Sequence, residues 1–116
     1  MESTTKPNIL ETYILGGVRH YDISIDVIQE GEMYKWEQVS VPYDKWNYSG
    51  VVDAIISHKY PIDKMQAVIN NYLLDPEDAY AIDEFNKMQA WRKEAKEIAK
   101  EALEYTSKDS LEYGLS

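Results

Sequence analysis

The chain of 116 residues has no cysteine, which excludes disulfides, thiolate–zinc sites and cysteine nucleophiles while permitting a reducing compartment. Positive charge is scarce: 12 Lys and Arg stand against 21 Asp and Glu, for a formal net charge of −9. Such a chain repels phosphate backbones and anionic lipid at long range, so neither direct nucleic-acid binding nor membrane association is expected. No apolar run approaches the roughly 18–20 residues that span a bilayer. The polar start Met1-Glu2-Ser3-Thr4-Thr5-Lys6 lacks the basic-then-apolar order of a signal peptide, and the chain reads as soluble and unexported. Phenylalanine occurs once, whereas there are ten Tyr and three Trp, aromatics whose polar tips suit half-buried and interfacial positions.

The catalytic motifs are missing as well. There is no G-x-S-x-G, no G-x-x-x-x-G-K and no G-x-G-x-x-G, and Gly16-Gly17 lies between strands rather than between a strand and a helix. The run Asp75 to Glu84 holds five carboxylates but no glycine and opens a helix, so it is not a calcium loop. His20, Asp22, Ser24 and Asp26 share one face of a strand. Side chains two apart there stand about 6.5–7 Å from each other, so at most two can share a metal, and the row reads as a solvated face. His20 and His58 are the only imidazoles. No enzymatic activity, metal or cofactor is expected.

What the chain does contain reads as a single α+β domain, a three-stranded antiparallel meander followed by two short helices and one long C-terminal amphipathic helix. Residues 1–8 are polar and without periodicity, and are expected to form a flexible arm. Ile9–Leu15 and Val18–Ile28 flank the Gly16-Gly17 turn, and Met33–Val41 follows the turn at Glu30-Gly31-Glu32. In the second strand Tyr21, Ile23, Ile25 and Val27 alternate with the polar row, giving one face to be covered. Ser49 is positioned to cap a helix holding Val51, Val52, Ile55 and Ile56, which the Tyr60-Pro61 step ends. Pro61 starts a second helix, with Met65, Val68, Ile69, Tyr72 and Leu73 at helical spacing.

The long helix is read from Asp75 to about Ser107, with Asp75 as N-cap, Pro76 in the first turn and no Gly or Pro from Glu77 to Ser107. Its seam runs through Ala81, Phe85, Met88, Trp91 or Arg92, Ala95, Ile98 or Ala99, Ala102 and Tyr105. Alanine permits close approach but buries little area, so the seam is a weak driver of dimerisation. Two readings stand: the helix folds back on its own sheet, or its distal turns pair with another subunit. Residues 108–116 read as a polar tail in which Leu111, Tyr113 and Leu115 alternate, either free or adding an edge strand to a neighbour. Tyr43, Trp46 and Tyr48 cluster between sheet and helices, as packing or as an interface anchor.

The runs Tyr48-Ser49-Gly50-Val51-Val52-Asp53-Ala54-Ile55-Ile56, Tyr60-Pro61-Ile62-Asp63-Lys64-Met65-Gln66-Ala67-Val68-Ile69-Asn70-Asn71-Tyr72-Leu73 and Met88-Gln89-Ala90-Trp91-Arg92-Lys93 with Ala95-Lys96 resemble small fibre-associated or virion proteins of tailed phages and prophages of gut Bacteroidales. The resemblance covers residues 34 to 104 and carries over no catalytic or ligand residue. It implies a non-enzymatic virion component (a head or tail fibre, adaptor or decoration subunit) assembled in the bacterial host cytoplasm and contacting other virion proteins as a homodimer or homotrimer. A fibre-assembly chaperone is the alternative, and an acidic mimic of nucleic acid a weaker one, since Lys and Arg interrupt the acids of the long helix. The expected partner-binding residues are Phe85, Met88, Trp91, Ala95 and Ile98 on the helix, with Tyr43 and Trp46 as a second patch.

Overall fold

The computed structural model describes residues 1–112, with side chains described through residue 106. Among the described residues seven strands and α-helices follow in order: β1 (Glu2–Ser3), β2 (Leu10–Leu15), β3 (Val18–Glu30), β4 (Met33–Pro42), α1 (Tyr48–Lys59), α2 (Ile62–Leu74) and α3 (Ala79–Glu112), with a 3-10 turn, Tyr43–Lys45, between β4 and α1. The α+β architecture with an antiparallel sheet is as expected, but the sheet has four strands rather than three, ordered β1-β4-β3-β2. The additional strand comes from the polar arm: Glu2 and Ser3 pair with Lys35 and Tyr34, and the Trp36 N–H donates to the Met1 carbonyl. Two residues of main-chain pairing leave no trace in hydrophobic periodicity. Residues 4–9 then carry the chain from one edge of the sheet to the other.

Both hairpin turns are set by glycine. Gly16 and Gly17 have φ of +59° and +78°, the left-handed pair that a type I′ turn requires. Alternation in β3 holds through Tyr21, Ile23 and Ile25, all buried, and then fails. Ile25 faces Glu37 while Ile28 faces Lys35, so Asp26 and Val27 together oppose Trp36 in a β-bulge. Asp26 adopts φ +53°, which Asp tolerates better than most residues, and the slip turns Val27 out to solvent instead of into the core.

The apolar row of the sheet is covered by α1 and α3. Val51, Val52, Ile55 and Ile56 of α1, and Trp91, Ala95, Ala99 and Ala102 of α3, join Leu10, Tyr21, Ile23, Ile25, Val39 and Val41 in one core. The long helix therefore folds back on its own domain, with α1 and α2 as its main neighbours and its alanines buried in the shared core. The Trp91 indole N–H donates to the Ile55 carbonyl at 3.1 Å, which satisfies a buried donor that would otherwise cost about 1–3 kcal/mol. Lys59 Nζ lies 3.9 Å from the Trp91 ring centroid and 2.7 Å from Asp26 Oδ2, tying the bulge to both helices. Trp46 stacks on Tyr21 at 4.0 Å and donates to Thr106 Oγ1. The second helix packs on the N-terminal half of α3, where Tyr72 and Phe85 stack at 4.3 Å.

Helix boundaries differ from expectation for local reasons. Asn47, not Ser49, caps α1: its Oδ1 accepts from the Gly50 N–H at 2.9 Å. A side chain at Gly50 would run into the Lys45 carbonyl. Asp75-Pro76-Glu77-Asp78 forms a turn, closed by the Asp78 N–H on the Asp75 carbonyl, and Asp78 rather than Asp75 accepts from the Tyr80 N–H. The third helix continues to Glu112, through the segment 108–112 expected to be tail; Tyr113 and Leu115 lie outside the described residues. Its 34 residues span about 51 Å at 1.5 Å per residue. The radius of gyration is 17.0 Å, against about 13 Å for a compact domain of this size.

Candidate interaction surface

Of the seven residues expected to meet a partner, the structure places Met88, Trp91 and Ala95 inside, at 0, 5 and 0 % exposure. Phe85 and Ile98 are half-buried, the first against Tyr72 and the second against the core. Trp46 is half-buried against Tyr21, and only Tyr43, in the 3-10 turn Tyr43–Lys45, is exposed. The helix seam is thus spent inside the chain's own fold, chiefly against α1 and α2, and a partner cannot reach it without displacing them. The polar row of β3 is likewise engaged except at Ser24, whose buried hydroxyl has no hydrogen-bond partner. Tyr13 stacks on His20, Asp22 accepts from the Ser40 hydroxyl, Asp26 pairs with Lys59, and Ser24 is buried. Among the described residues no group of three or more His, Asp or Glu side chains is placed to share a metal ion.

Unpartnered apolar surface lies elsewhere, at the far end of the β2–β3 hairpin. Strand β2 is buried only at Leu10; Glu11 to Leu15 are exposed on both faces. Cross-strand partners share a face, so Leu10, Thr12 and Ile14 lie on the side that carries Ile23 and Tyr21, and Glu11, Tyr13 and Leu15 on the other. Ile14 continues the core row beyond the reach of the helices and is 61 % exposed; Leu15 and Val18, opposite each other beside the turn, are 62 and 44 % exposed. Residues 9–21 hold one acid, Glu11, and one base, Arg19, so this end of a strongly acidic chain is locally neutral.

The edge of β2 is also chemically open. In an antiparallel pair, residues alternate between bonding their neighbour and pointing main-chain groups away from it. Ser24 donates its N–H to the Ile9 carbonyl, and a two-residue turn makes Leu15 and Val18 a bonded pair, so Ile9, Glu11, Tyr13 and Leu15 bond β3. Leu10, Thr12 and Ile14 direct their N–H and C=O outward, and no other described main-chain or side-chain group meets them. Natural sheets blunt such edges with Lys, Pro, bulges or very short strands. β2 has none of these. A second exposed apolar group sits where α2 meets α3, at Leu73, Leu74 and Tyr80, but its main chain is committed to helices.

Sequence reading passed over Ile14, Leu15 and Val18 because an apolar strand beside a Gly-Gly turn looks like ordinary core. The available signal was the double phase of Ile9-Leu10-Glu11-Thr12-Tyr13-Ile14-Leu15, apolar on both faces of one strand, with no Lys or Pro to guard an edge. No helix among the described residues is long and apolar enough to cross a membrane. Compared with models of protein families, with curated proteins and with solved structures, the chain gives no significant match to any of them.

Proposed function

We propose that this protein is a non-enzymatic interaction subunit, a structural or accessory component of a phage virion, which docks through the open β2 edge and the apolar end of the β2–β3 hairpin. The observation that carries the docking surface is a neutral, uncovered hairpin on a chain of net charge −9, with Ile14 and Leu15 each more than 60 % exposed. Addition of a strand to a sheet edge gives affinity through main-chain hydrogen bonds and selectivity through alternate side chains. The virion assignment rests on the resemblance of residues 34 to 104 to phage fibre-associated and virion proteins. Assembly then takes place in the cytoplasm of the bacterial host, with other virion proteins as partners.

The test is particle association. On a density gradient of particles released from the host, the intact chain should band with the particles, and Ile14→Asp with Leu15→Asp should abolish banding while circular dichroism and melting stay as in the parent. A chain that remains in the soluble fraction overturns the structural-subunit reading. The same open edge also suits a chaperone that holds a strand of nascent fibre; such a protein forms an intracellular complex with fibre protein and is missing from finished particles.

A further inference from the structure

Resting on that docking reading, the pattern along β2 identifies the strand that fits its edge. We propose that the occupant is β2 of a second copy, paired antiparallel about a two-fold axis through Thr12, so that two four-stranded sheets join into one of eight.

Three registers pair at least two of the three outward residues of each copy with one another. Centring on Glu11 sets two like charges directly across the joint, which is destabilising. Centring on Tyr13 leaves Glu11 opposite Leu15 and runs the Leu10 position into the Gly16 turn of the second copy. Centring on Thr12 pairs Leu10 with Ile14 of the second copy, Thr12 with its own equivalent, and Ile14 with Leu10. Every outward N–H and C=O of Leu10, Thr12 and Ile14 then finds a partner, for about six inter-chain hydrogen bonds. On the side-chain level, apolar faces apolar, Thr faces Thr in a favoured cross-strand pair, and Glu11 faces Tyr13 rather than another acid.

Charge and access agree with this register. The net charge of −9 per chain opposes self-association in general, but residues 9–21 carry a net charge of zero, so the copies meet where repulsion is weakest. The two-fold axis stands perpendicular to the sheet and puts both helical layers on one side. Glu11 to Leu15 are all exposed, so those layers do not overhang that part of the joint, while Leu10, at 6 % exposure, is covered by its own domain. Ile14, 61 % exposed in one copy, gains an apolar neighbour where the core row of β2 runs past its helical cover. The joint is short, and it falls below the roughly 1,200 Å² of a standard stable interface, so the dissociation constant is expected at about 10 µM to 1 mM. A repeated assembly supplies the local concentration that a free pair lacks.

The experiment is sedimentation equilibrium of the intact chain from about 5 µM to 1 mM, alongside Thr12→Pro, Ile14→Lys and the single-thiol variants Thr12→Cys and Gln66→Cys. Thr12 directs its N–H away from β3, so proline there blocks the joint without breaking the internal ladder. Expected are a mass rising from 13.5 kDa toward twice that value and a dissociation constant raised about 10- to 100-fold by Thr12→Pro. A short bis-maleimide should link two copies of the Thr12→Cys variant through their new thiols and leave the Gln66→Cys variant unlinked. Should Thr12→Pro fail to fold, Ile14→Lys, altered at an exposed position, reports the same loss. A monomer throughout, or a dimer that neither variant weakens, overturns the proposal. A monomer whose banding with particles is lost on Thr12→Pro gives the edge to a strand of another virion protein; one whose banding is unchanged removes the edge from docking and leaves particle association standing.

Discussion

The two hairpins of this sheet are built from the same strand, β3, yet they treat water in opposite ways. The β3–β4 turn is charged, with Glu30, Gly31 and Glu32 at its tip and Lys35 Nζ 2.8 Å from Glu30 Oε2. Beside it β4 is partly covered by β1, an edge strand of two residues, too short to recruit another chain. The β2–β3 turn is neutral, flanked by Ile14, Leu15 and Val18, and its edge strand is six residues long and unguarded. One end of the sheet is finished and the other is not. Exposed apolar side chains alone do not separate them, since Val27 and Ile28 near the charged turn are 38 and 52 % exposed; what separates them is charge at the turn and the length of the edge strand.

That contrast breaks most visibly under the helices. Trp91→Ala removes a 5 %-exposed ring, the hydrogen bond to Ile55 and the seat of Lys59, and is expected to cost about 3–5 kcal/mol in denaturant unfolding. Ile23→Ala, in the covered half of the core row, should cost about 2–5 kcal/mol, whereas Ile14→Ala, on the same face beyond the cover, should stay within about 0.5 kcal/mol. Equal losses at Ile23 and Ile14 would mean that the hairpin end is packed in solution. One step smaller is a pair of neighbours on the edge itself. Tyr13→Pro deletes an N–H that bonds β3 and should cost about 1–3 kcal/mol, while Thr12→Pro deletes one that faces solvent and should cost less than about 1 kcal/mol. If both substitutions melt the protein alike, the phase assigned to β2 is incorrect.

The α+β class, the three long strands and the three helices were legible because they rest on periodicity, turn glycines and proline breaks. So was most of the row under the helices: Tyr21, Ile23 and Ile25 are buried together. Val27 was not legible, because a bulge adds one residue without changing composition, and Asp26 at positive φ looks in sequence like one more polar position. The caps shifted for a related reason: Asn47 and Ser49, or Asp75 and Asp78, are chemically equivalent caps a few residues apart, and the Asp75 turn decides between the second pair. The interaction surface was least legible. A seam of Met88, Trp91 and Ala95 reads the same whether it meets a partner or the chain's own fold, and only the positions of α1 and α2 show which. The unguarded edge of β2 depends on where a strand falls in the sheet order, which periodicity does not contain.

The smallest effect tests whether the finished hairpin is finished by charge. The hydrogen bond and negative charge of Glu30 hold the Lys35 ammonium above its ordinary value of 10.5. A base whose folded pKa is raised stabilises the fold fully below the unfolded value, and that contribution is lost as pH rises through the folded one. Lys35→Gln should therefore melt slightly below the parent at about pH 8 and converge with it above about pH 11, while high salt narrows the gap at the lower pH. Both side chains are about half exposed, so the gap is small and no change of fold accompanies it. Persistence of the gap at high pH and in high salt would assign it to the lysine stem lying along β4 rather than to charge. The β3–β4 end would then be protected from association by the short strand β1 alone, and the two edges of the sheet would differ in strand length and cover rather than in electrostatics.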